Sequence, residues 1–193
     1  MRILFLSLAA LIIISTTSFT SKNSLVVTST AFTNNGMIPV KYTCMGQGIN
    51  PPLHISNIPT GTQSLAIILD DPDARQELIK TIKKKTHSKH NTVMTTSADS
   101  CYIYWVMWNI DPDDGIIPED FRSENTGYNT FGVSAYQGIC PISGTHHFHF
   151  KVYALDTKLN ISKTTNKAGL LKVMKGHILA QGELVGLFNK QLK

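Results

Sequence analysis

Three long runs of mainly apolar residues predict the central strands of the fold. Residues 64–69 are apolar after one serine and stop at an aspartate–proline turn, which is typical of a buried strand. Residues 102–110 are rich in aromatic and β-branched side chains and stop at a second turn of that kind. In residues 146–155, mainly apolar side chains alternate with mainly polar ones, as expected for a strand with two different faces.

Shorter elements are predicted between the turn signals. Residues 40–43 and 131–136 are expected to be short strands, residues 51–55 an extended piece, and residues 116–130 a loop. Residues 169–187 carry apolar side chains at helical spacing, with interruptions near two glycines. Many strands followed by one helical element favour an antiparallel β-sandwich with a peripheral helix over alternating strands and helices.

The first twenty residues have the pattern of a secretory signal peptide. Met1 and Arg2 give a positive start, residues 3–14 are apolar apart from one serine, and small polar residues follow. The apolar run is shorter than the roughly 20 residues that a membrane-spanning helix needs. We expect residues 1–20 to be cleaved, and a single domain over residues 25–190 to be exported to the periplasm or secreted.

The positive charge is concentrated in one segment. The chain has 193 residues and a net charge of +5, and residues 75–90 carry six basic side chains against one acid. A nucleic-acid-binding protein usually has a broad basic face, so no nucleic acid is expected as a partner. A solvated loop, or a docking site for an acidic partner or an anionic membrane, explains the segment.

The three cysteines, Cys44, Cys101 and Cys140, allow one disulfide in an exported protein and leave one cysteine over. Their spacing does not choose the pair. No two of them form a Cys-X-X-Cys motif, so neither a thioredoxin-type site nor a zinc knuckle is predicted.

Two aspartates and three histidines are candidates for chemistry. Asp71 and Asp73 flank a proline at the end of a buried strand, where they form either a plain turn or a pair of functional carboxylates. In a strand, His147 and His149 share one face and His146 lies on the other, so the three do not converge on one ion. No metal site is predicted.

No motif identifies a nucleophile. The chain has no Gly-X-Ser-X-Gly elbow. Cys140 precedes His146 by six positions and could imitate a cysteine–histidine pair, although a structural cysteine is the commoner role. The backbone N–H groups of the loop at 138–141 could form an anion-binding nest instead.

Several short motifs follow one another in a defined order. They are IPVKYTC at 38–44, NPPL at 50–53, DDPDA at 70–74, WVMWNI at 105–110, GICP at 138–141, GTH at 144–146, YALD at 153–156 and KGHILAQGELVG at 175–186. With them the chain resembles the phosphatidylethanolamine-binding protein family, in its bacterial Raf-kinase-inhibitor-like branch. The resemblance implies a mainly β fold, an antiparallel Greek-key β-sandwich with peripheral and C-terminal helices. Residues 75–100 are then a basic insertion.

The resemblance also implies a small pocket for phosphate-like or other anionic groups. The aspartate turn, the glycine-rich loop and the histidine after it carry over to Asp71, Asp73, Gly138 and His146. Tyr136, just before that loop, and Tyr104, which replaces the histidine usual before the family's tryptophan, are further ligand-binding candidates.

A second family motif also differs in this chain. The pattern GxHRY becomes GTHHF, so His147 replaces an arginine and Phe148 replaces a tyrosine. One fixed charge becomes a titratable one, and one hydroxyl is lost. Such a pocket should bind anions less tightly or prefer different ones.

The expected function is that of an exported, non-catalytic binding protein for a small anionic ligand or a phospholipid head group. No cofactor and no catalytic residue are implied. A protein partner that it modulates and a homodimer are both compatible with the resemblance. Two alternatives remain open: an interaction role through the basic insertion with a vestigial pocket, and a hydrolase or metal-dependent enzyme that uses Asp71, His146 and Cys140.

Overall fold

The protein, seen here in a computed structural model that describes residues 24–74, 101–113 and 115–190, is built mainly from β-strands. In chain order the elements are β1 (Val26–Thr28), β2 (Gly36–Met37), a 3₁₀ helix (Val40–Tyr42), β3 (Leu53–Ser56), β4 (Ser64–Asp71), β5 (Tyr102–Ile110), β6 (Ile116–Ile117), β7 (Thr145–Leu155), α1 (Lys167–Met174) and β8 (Ile178–Asn189). One sheet has the strand order β1-β3-β6 and the other the order β2-β8-β7-β4-β5.

The main hydrophobic core contains residues of both sheets. The smaller sheet contributes Val27, Leu53, Ile55 and Ile117, and the larger contributes Leu65, Ile67, Leu69, Trp105, Met107, Phe148 and Phe150. The three long strands predicted from the sequence all form, and the mainly β fold is confirmed. The Greek-key connection stays a prediction. The sheets are not purely antiparallel, because the short β2 pairs with β8 in parallel.

A second core covers the other face of the larger sheet and confirms a peripheral helix. Leu170 and Met174 of α1 are fully buried there, in one cluster with Ile68 of β4. Asn166 caps the helix, since its side-chain oxygen accepts a hydrogen bond from the backbone N–H of Gly169 at 3.1 Å. With both faces covered, β4 is buried at every position.

An ion-pair cluster ties α1 to the sheet. Asp70 is fully buried and accepts hydrogen bonds from Lys151 Nζ at 3.0 and 3.1 Å and from Lys167 Nζ at 2.7 Å. Lys167 is the first residue of α1, an end of the helix where the macrodipole disfavours positive charge. The carboxylate of Asp70 offsets that disfavoured placement and fixes the helix on the sheet.

The prediction of a helix running to residue 187 was wrong, because residues 178–189 form the strand β8. The buried positions of β8 alternate, but two residues of the same alternating set are glycines. A Cβ on Gly182 would lie 2.3 Å from the carbonyl oxygen of Leu25, and one on Gly186 would lie 2.5 Å from Ile38 Cδ1. Both glycines allow neighbouring segments to approach closely, and they hide the two-residue period of the strand.

Two short segments also differ from prediction. Residues 40–43 begin a 3₁₀ turn instead of a strand, because the backbone N–H groups of Tyr42 and Thr43 bond to carbonyls three residues earlier. Residues 116–130 are not all loop, since Ile116–Ile117 forms β6 against β3.

The segment at 131–136 is a loop instead of the predicted strand. The side-chain oxygen of the buried Asn129 accepts the backbone N–H groups of Phe131 and Val133, at 2.9 and 3.0 Å. The side-chain amide of Asn129 also donates to the carbonyl of Ala135 at 3.3 Å. This asparagine satisfies the donors that a strand would need for its ladder.

Cys44 and Cys140 form the disulfide, with their Cα atoms 5.5 Å apart. Cys101 lies outside it. The predicted signal peptide at 1–20 and the basic insertion at 75–100 fall outside the described residues. Within the described ranges, no helix is long and apolar enough to cross a membrane.

Candidate functional site

The turn at the end of β4 holds a buried carboxylate in a fixed position. Asp71 Oδ1 accepts hydrogen bonds from the backbone N–H groups of Asp73 and Ala74, at 3.0 and 3.1 Å. This is the local turn that aspartate side chains favour. The second carboxylate oxygen, Oδ2, is thereby directed to another partner.

That partner is a histidine on β7. The strands β4 and β7 are antiparallel with Asp70 opposite His149, so the start of β7 lies beside the end of β4. His146 Nδ1 lies 2.7 Å from Asp71 Oδ2, and the two side chains are 2% and 0% exposed. The carboxylate and the imidazole that the family resemblance assigns to one pocket are therefore in direct contact.

Burial is the main influence on the pKa of Asp71. Desolvation raises its pKa above the ordinary value of 3.8, while the hydrogen bond and charge of His146 and the N–H of Ala74 lower it. Desolvation is the larger influence, and the net pKa is raised. The carboxyl group therefore keeps its proton to a higher pH than an exposed aspartate does.

A small cleft of about 110 Å³ opens beside Asp71 and is called the Asp71 cleft below. It is lined by Asp71, Ala74, Tyr102, Tyr104, Phe131, Cys140, Pro141 and Ile142. Tyr104 donates its hydroxyl to the carbonyl of Cys140 at 3.4 Å. Burial first, and then the charge of Asp71, raise the pKa of Tyr104, so the phenol stays protonated. Phe131 and Ile142 are exposed at the cleft.

Asp73 and His147 form a second pair, nearer the solvent. The Nδ1 atom and the backbone N of His147 lie 2.7 and 2.8 Å from Asp73 Oδ2. Partial burial raises the pKa of Asp73, but the hydrogen bonds from the side chain and backbone of His147 outweigh it and hold the pKa below 3.8. The two aspartates of one turn thus have pKa values moved in opposite directions.

Of the predicted ligand-binding residues, Asp71 and Tyr104 line the Asp71 cleft, whereas Asp73, His146, Tyr136 and Gly138 do not. Tyr136 donates its hydroxyl to the carbonyl of Tyr42 at 2.9 Å, and its ring packs edge-on against Trp105. Gly138 lies where two loops cross, because a Cβ there would be 2.9 Å from Gly48 Cα. At Gly138 the backbones of the two loops approach each other closely, and this contact positions the loop that follows Gly138.

The cleft also contains residues that sequence reasoning missed. Tyr102 lies two positions before Tyr104 on the same face of β5, so strand alternation was a usable signal for it. Phe131 lies in the segment mistaken for a strand, and its ring stacks on Tyr102 with 6.1 Å between centroids. No local sequence pattern predicts that Phe131 lines this cleft.

The other histidines of β7 and Cys140 each have a defined partner in the described ranges. No three His, Cys, Asp or Glu side chains gather there closely enough to hold a metal ion. His147 and His149 do share a face, but they pair with different carboxylates, Asp73 and Glu183. Cys140 is bonded to another cysteine, so its thiol cannot be the nucleophile of the enzyme alternative.

The raised pKa of Asp71 predicts a distinct pH dependence of stability for Asp71→Asn. The folded state holds the Asp71 proton more tightly than the unfolded state, so this group stabilises the wild type below its ordinary pKa of 3.8. The contribution is lost as pH rises through the raised value. Urea denaturation between about pH 3.5 and 5, below the titration range of ordinary histidines, should show the wild type losing stability relative to Asp71→Asn as pH rises.

Asp73→Asn is the matched control. Its pKa is lowered, so the wild-type advantage over this variant should be present above pH 3.8 and decline as pH falls below it. A free-energy difference between wild type and Asp71→Asn that stays constant with pH, or follows the trend of the Asp73 variant, would contradict the assignment.

Comparison with known proteins agrees with the fold and the motifs. The family model described as "Phosphatidylethanolamine-binding protein" matches residues 28–189. A UPF0098 protein of Pyrococcus horikoshii is 39% identical over 180 residues, covering 88% of this chain and 79% of the relative. One from Chlamydia muridarum is 34% identical over 165 residues, covering 85% of this chain and 98% of the relative. The chain belongs to the phosphatidylethanolamine-binding protein family.

Solved structures show the same architecture. A crystal structure of a phosphatidylethanolamine-binding protein homologue from Chlamydia trachomatis has a TM-score of 0.73 and 33% identity, covering 88% of this chain and 99% of that one. The structure of YbcL from E. coli has a TM-score of 0.69 at 23% identity, over 87% of this chain and 99% of that one, which shows the fold alone.

Proposed function

We propose that this protein is a non-catalytic binding protein that takes a small anionic group of the phosphate type in the Asp71 cleft. The observation that carries the proposal is the buried contact of 2.7 Å between Asp71 and His146 beside an open, partly polar cleft. Titratable pairs buried next to a cleft are more common at functional sites than elsewhere.

The size of the cleft limits the ligand. A volume of about 110 Å³ is well below the roughly 300–1,000 Å³ of pockets that enclose drug-sized molecules. It suits a single phosphate group or a head group, with the rest of a larger ligand outside. The exposed apolar side chains of Phe131 and Ile142 would then lie beside that remainder.

The raised pKa of Asp71 lowers the cost of placing an anion next to this aspartate. Burial raises the pKa of Asp71, and a bound anion would favour its neutral form further, because a like charge nearby disfavours ionisation. The hydrogen bond from the Tyr104 hydroxyl to a carbonyl is long, 3.4 Å, so that hydroxyl can turn to a ligand oxygen instead. A head group with an amine could also place its ammonium near Asp71.

Export is part of the same proposal. The Cys44–Cys140 disulfide supports it, because structural disulfides persist mainly in oxidising compartments outside the cytoplasm. The signal-peptide pattern of residues 1–20 points the same way. Modulation of a protein partner by the bound state of the cleft completes the proposed role.

Ligand binding should be visible at one histidine. In an NMR titration with inorganic phosphate, and separately with phosphoethanolamine, the imidazole signals of His146 should move in a saturable way. His177 is the internal control, because its Nδ1 lies 2.8 Å from Asp156 in a comparable but exposed pair outside the cleft. Stronger binding of phosphoethanolamine would favour a head group over free phosphate. No movement of His146 at millimolar ligand, or equal movement of His177, would count against the proposal.

A further inference from the structure

The disulfide between Cys44 and Cys140 lies near the surface, at the wall of the Asp71 cleft. Cys44 is an exposed residue and Cys140 is half-buried, so a group from the solvent reaches Cys44 more easily. Cys140 lines the cleft together with Pro141 and Ile142, which follow it in the chain. Exposed disulfides are the ones that react with thiols, whereas buried structural ones resist reduction. The position of this bond therefore allows it to react.

A lysine ammonium group lies against one of the two sulfur atoms. Lys190 Nζ donates a hydrogen bond to Cys140 Sγ at 3.6 Å. Strand pairing explains this contact, because Asn189 at the end of β8 lies opposite Thr145 at the start of β7, and its side chain donates to Thr145 Oγ1 at 3.0 Å. Residue 190 is thereby held beside the loop that precedes β7 and contains Cys140. Among the described residues, no carboxylate forms an ion pair with Lys190.

The ammonium group makes the two sulfur atoms unequal in thiol–disulfide exchange. In this reaction a thiolate attacks one sulfur and the other sulfur leaves as a thiolate, and a better stabilised thiolate leaves faster. A neighbouring lysine stabilises a thiolate through its charge and its hydrogen bond. Cys140 is therefore the favoured leaving group, and the exposed Cys44 is the favoured point of attack. Accessibility and charge, two separate observations, give the same direction of reaction.

We infer that the Cys44–Cys140 disulfide is a site of thiol–disulfide exchange with a dithiol reductant. One thiolate of the dithiol attacks Cys44 Sγ, a bond forms between these two sulfurs, the bond to Cys140 breaks, and Cys140 leaves as a thiolate beside Lys190. The second thiolate of the dithiol then closes a disulfide within the reductant and releases Cys44, which takes a proton from the solvent. The protein gains two electrons, and the dithiol loses them.

The two loops joined by the disulfide also have contacts that do not depend on it. The backbone N–H of Cys44 bonds to the carbonyl of Ile139 at 3.1 Å, and the backbones of Gly48 and Gly138 pack closely where the loops cross. Reduction should therefore lower stability and loosen the loop at 140–142, while the domain stays folded in the absence of denaturant.

Reduction also changes the Asp71 cleft, a consequence that rests on the proposed anion-binding function. The Cys140 thiolate adds negative charge to the wall of the cleft and competes with a bound anion for the ammonium group of Lys190. We expect the reduced protein to bind inorganic phosphate about threefold more weakly, an effect of the size of one exposed charge pair.

The point of attack is tested in the Cys101→Ser protein, where no third cysteine can exchange. The oxidised protein is treated briefly with glutathione, a monothiol, and the released thiol is blocked with N-ethylmaleimide. Mass spectrometry of the peptides then shows which cysteine carries which group. We expect glutathione on Cys44 and the maleimide on Cys140. Glutathione mainly on Cys140 would overturn the inference.

The role of Lys190 is tested by the rate at which dithiothreitol reduces the folded protein. Lys190→Met should slow this reduction about threefold or more, because the leaving thiolate loses its ammonium group. Lys158→Met is the matched control, since it removes the same charge from an exposed position outside the cleft, and it should react as the parent protein does. An unchanged rate for Lys190→Met, or equal slowing by Lys158→Met, contradicts the assignment.

Phosphate titrations of the oxidised and the reduced Cys101→Ser protein test the effect on the cleft, with circular dichroism to show that both forms are folded. Weaker binding to the reduced form supports redox control of the cleft, and equal binding to both forms overturns it. If neither form binds phosphate, the proposed function of the cleft fails and redox control of binding fails with it. The position of glutathione decides the exchange site in either case.

Discussion

Asp70→Asn should lower the free energy of unfolding by about 3 kcal/mol, because it leaves the ammonium groups of two lysines without their shared carboxylate. Asp70 is fully buried and holds both Lys151 and Lys167. Removal of one partner from a buried pair usually costs about 3–5 kcal/mol, and we expect the lower end because both lysines retain some contact with water. Urea denaturation measures the change directly.

A second substitution and an exposed pair serve as controls. In the Asp70→Asn background, Lys167→Met should recover part of the lost stability, since it removes an unpaired ammonium group at the start of α1. Asp156→Asn, which breaks the exposed pair with His177, should cost about 1 kcal/mol or less. If Asp70→Asn and Asp156→Asn have equal effects, the buried cluster does not anchor the helix as described.

The double substitution Cys44→Ser with Cys140→Ser should have a comparable effect. The disulfide joins residues 96 positions apart, and closing so long a loop in the unfolded chain corresponds to a stabilisation of about 4 kcal/mol. The bond also holds the loop that contains Cys140 and Pro141, which line the Asp71 cleft. We therefore expect both a lower midpoint of urea denaturation and weaker ligand binding in the cleft.

Cys101→Ser is the control for loss of a cysteine as such. Cys101 lies outside the disulfide and is half-buried, so its substitution should change stability by about 1 kcal/mol or less. Equal destabilisation by Cys101→Ser and by the double variant would mean that the Cys44–Cys140 bond does not contribute as argued.

The long strands could be predicted because one kind of pattern dominated each of them. β4 is a continuous apolar run, and β5 forms over the predicted residues. β8 could not be recognised, because Gly182 and Gly186 occupy positions where apolar side chains would have shown the two-residue period. Its remaining leucines fall at a spacing that a helix also allows, so only the antiparallel pairing with β7 in three dimensions identifies a strand.

Within the candidate site, the residues that belong to family motifs could be predicted from the sequence. Asp71 and His146 belong to motifs quoted for the family resemblance, and the structure places them in contact. Tyr136 and Gly138 also stand beside or in such a motif, yet Tyr136 packs against Trp105 and Gly138 packs at a loop crossing. A position close to a motif in the sequence therefore does not predict whether the side chain lines the Asp71 cleft.

The pairing of the cysteines also could not be predicted from the sequence. Three cysteines allow three pairings, and no spacing rule distinguishes them. The pair follows from the crossing of two loops, where the backbone N–H of Cys44 bonds to the carbonyl of Ile139 at 3.1 Å. That crossing depends on Gly138, whose missing side chain lets the loops meet.

A crystal structure of the natively purified protein soaked with phosphoethanolamine tests the central claim most directly. The account predicts electron density for the phosphate in the Asp71 cleft, within hydrogen-bonding distance of the Tyr104 hydroxyl and beside the carboxyl group that contacts His146. A cleft that stays free of the ligand at saturating concentration, or phosphate density bound only at another surface, would contradict it.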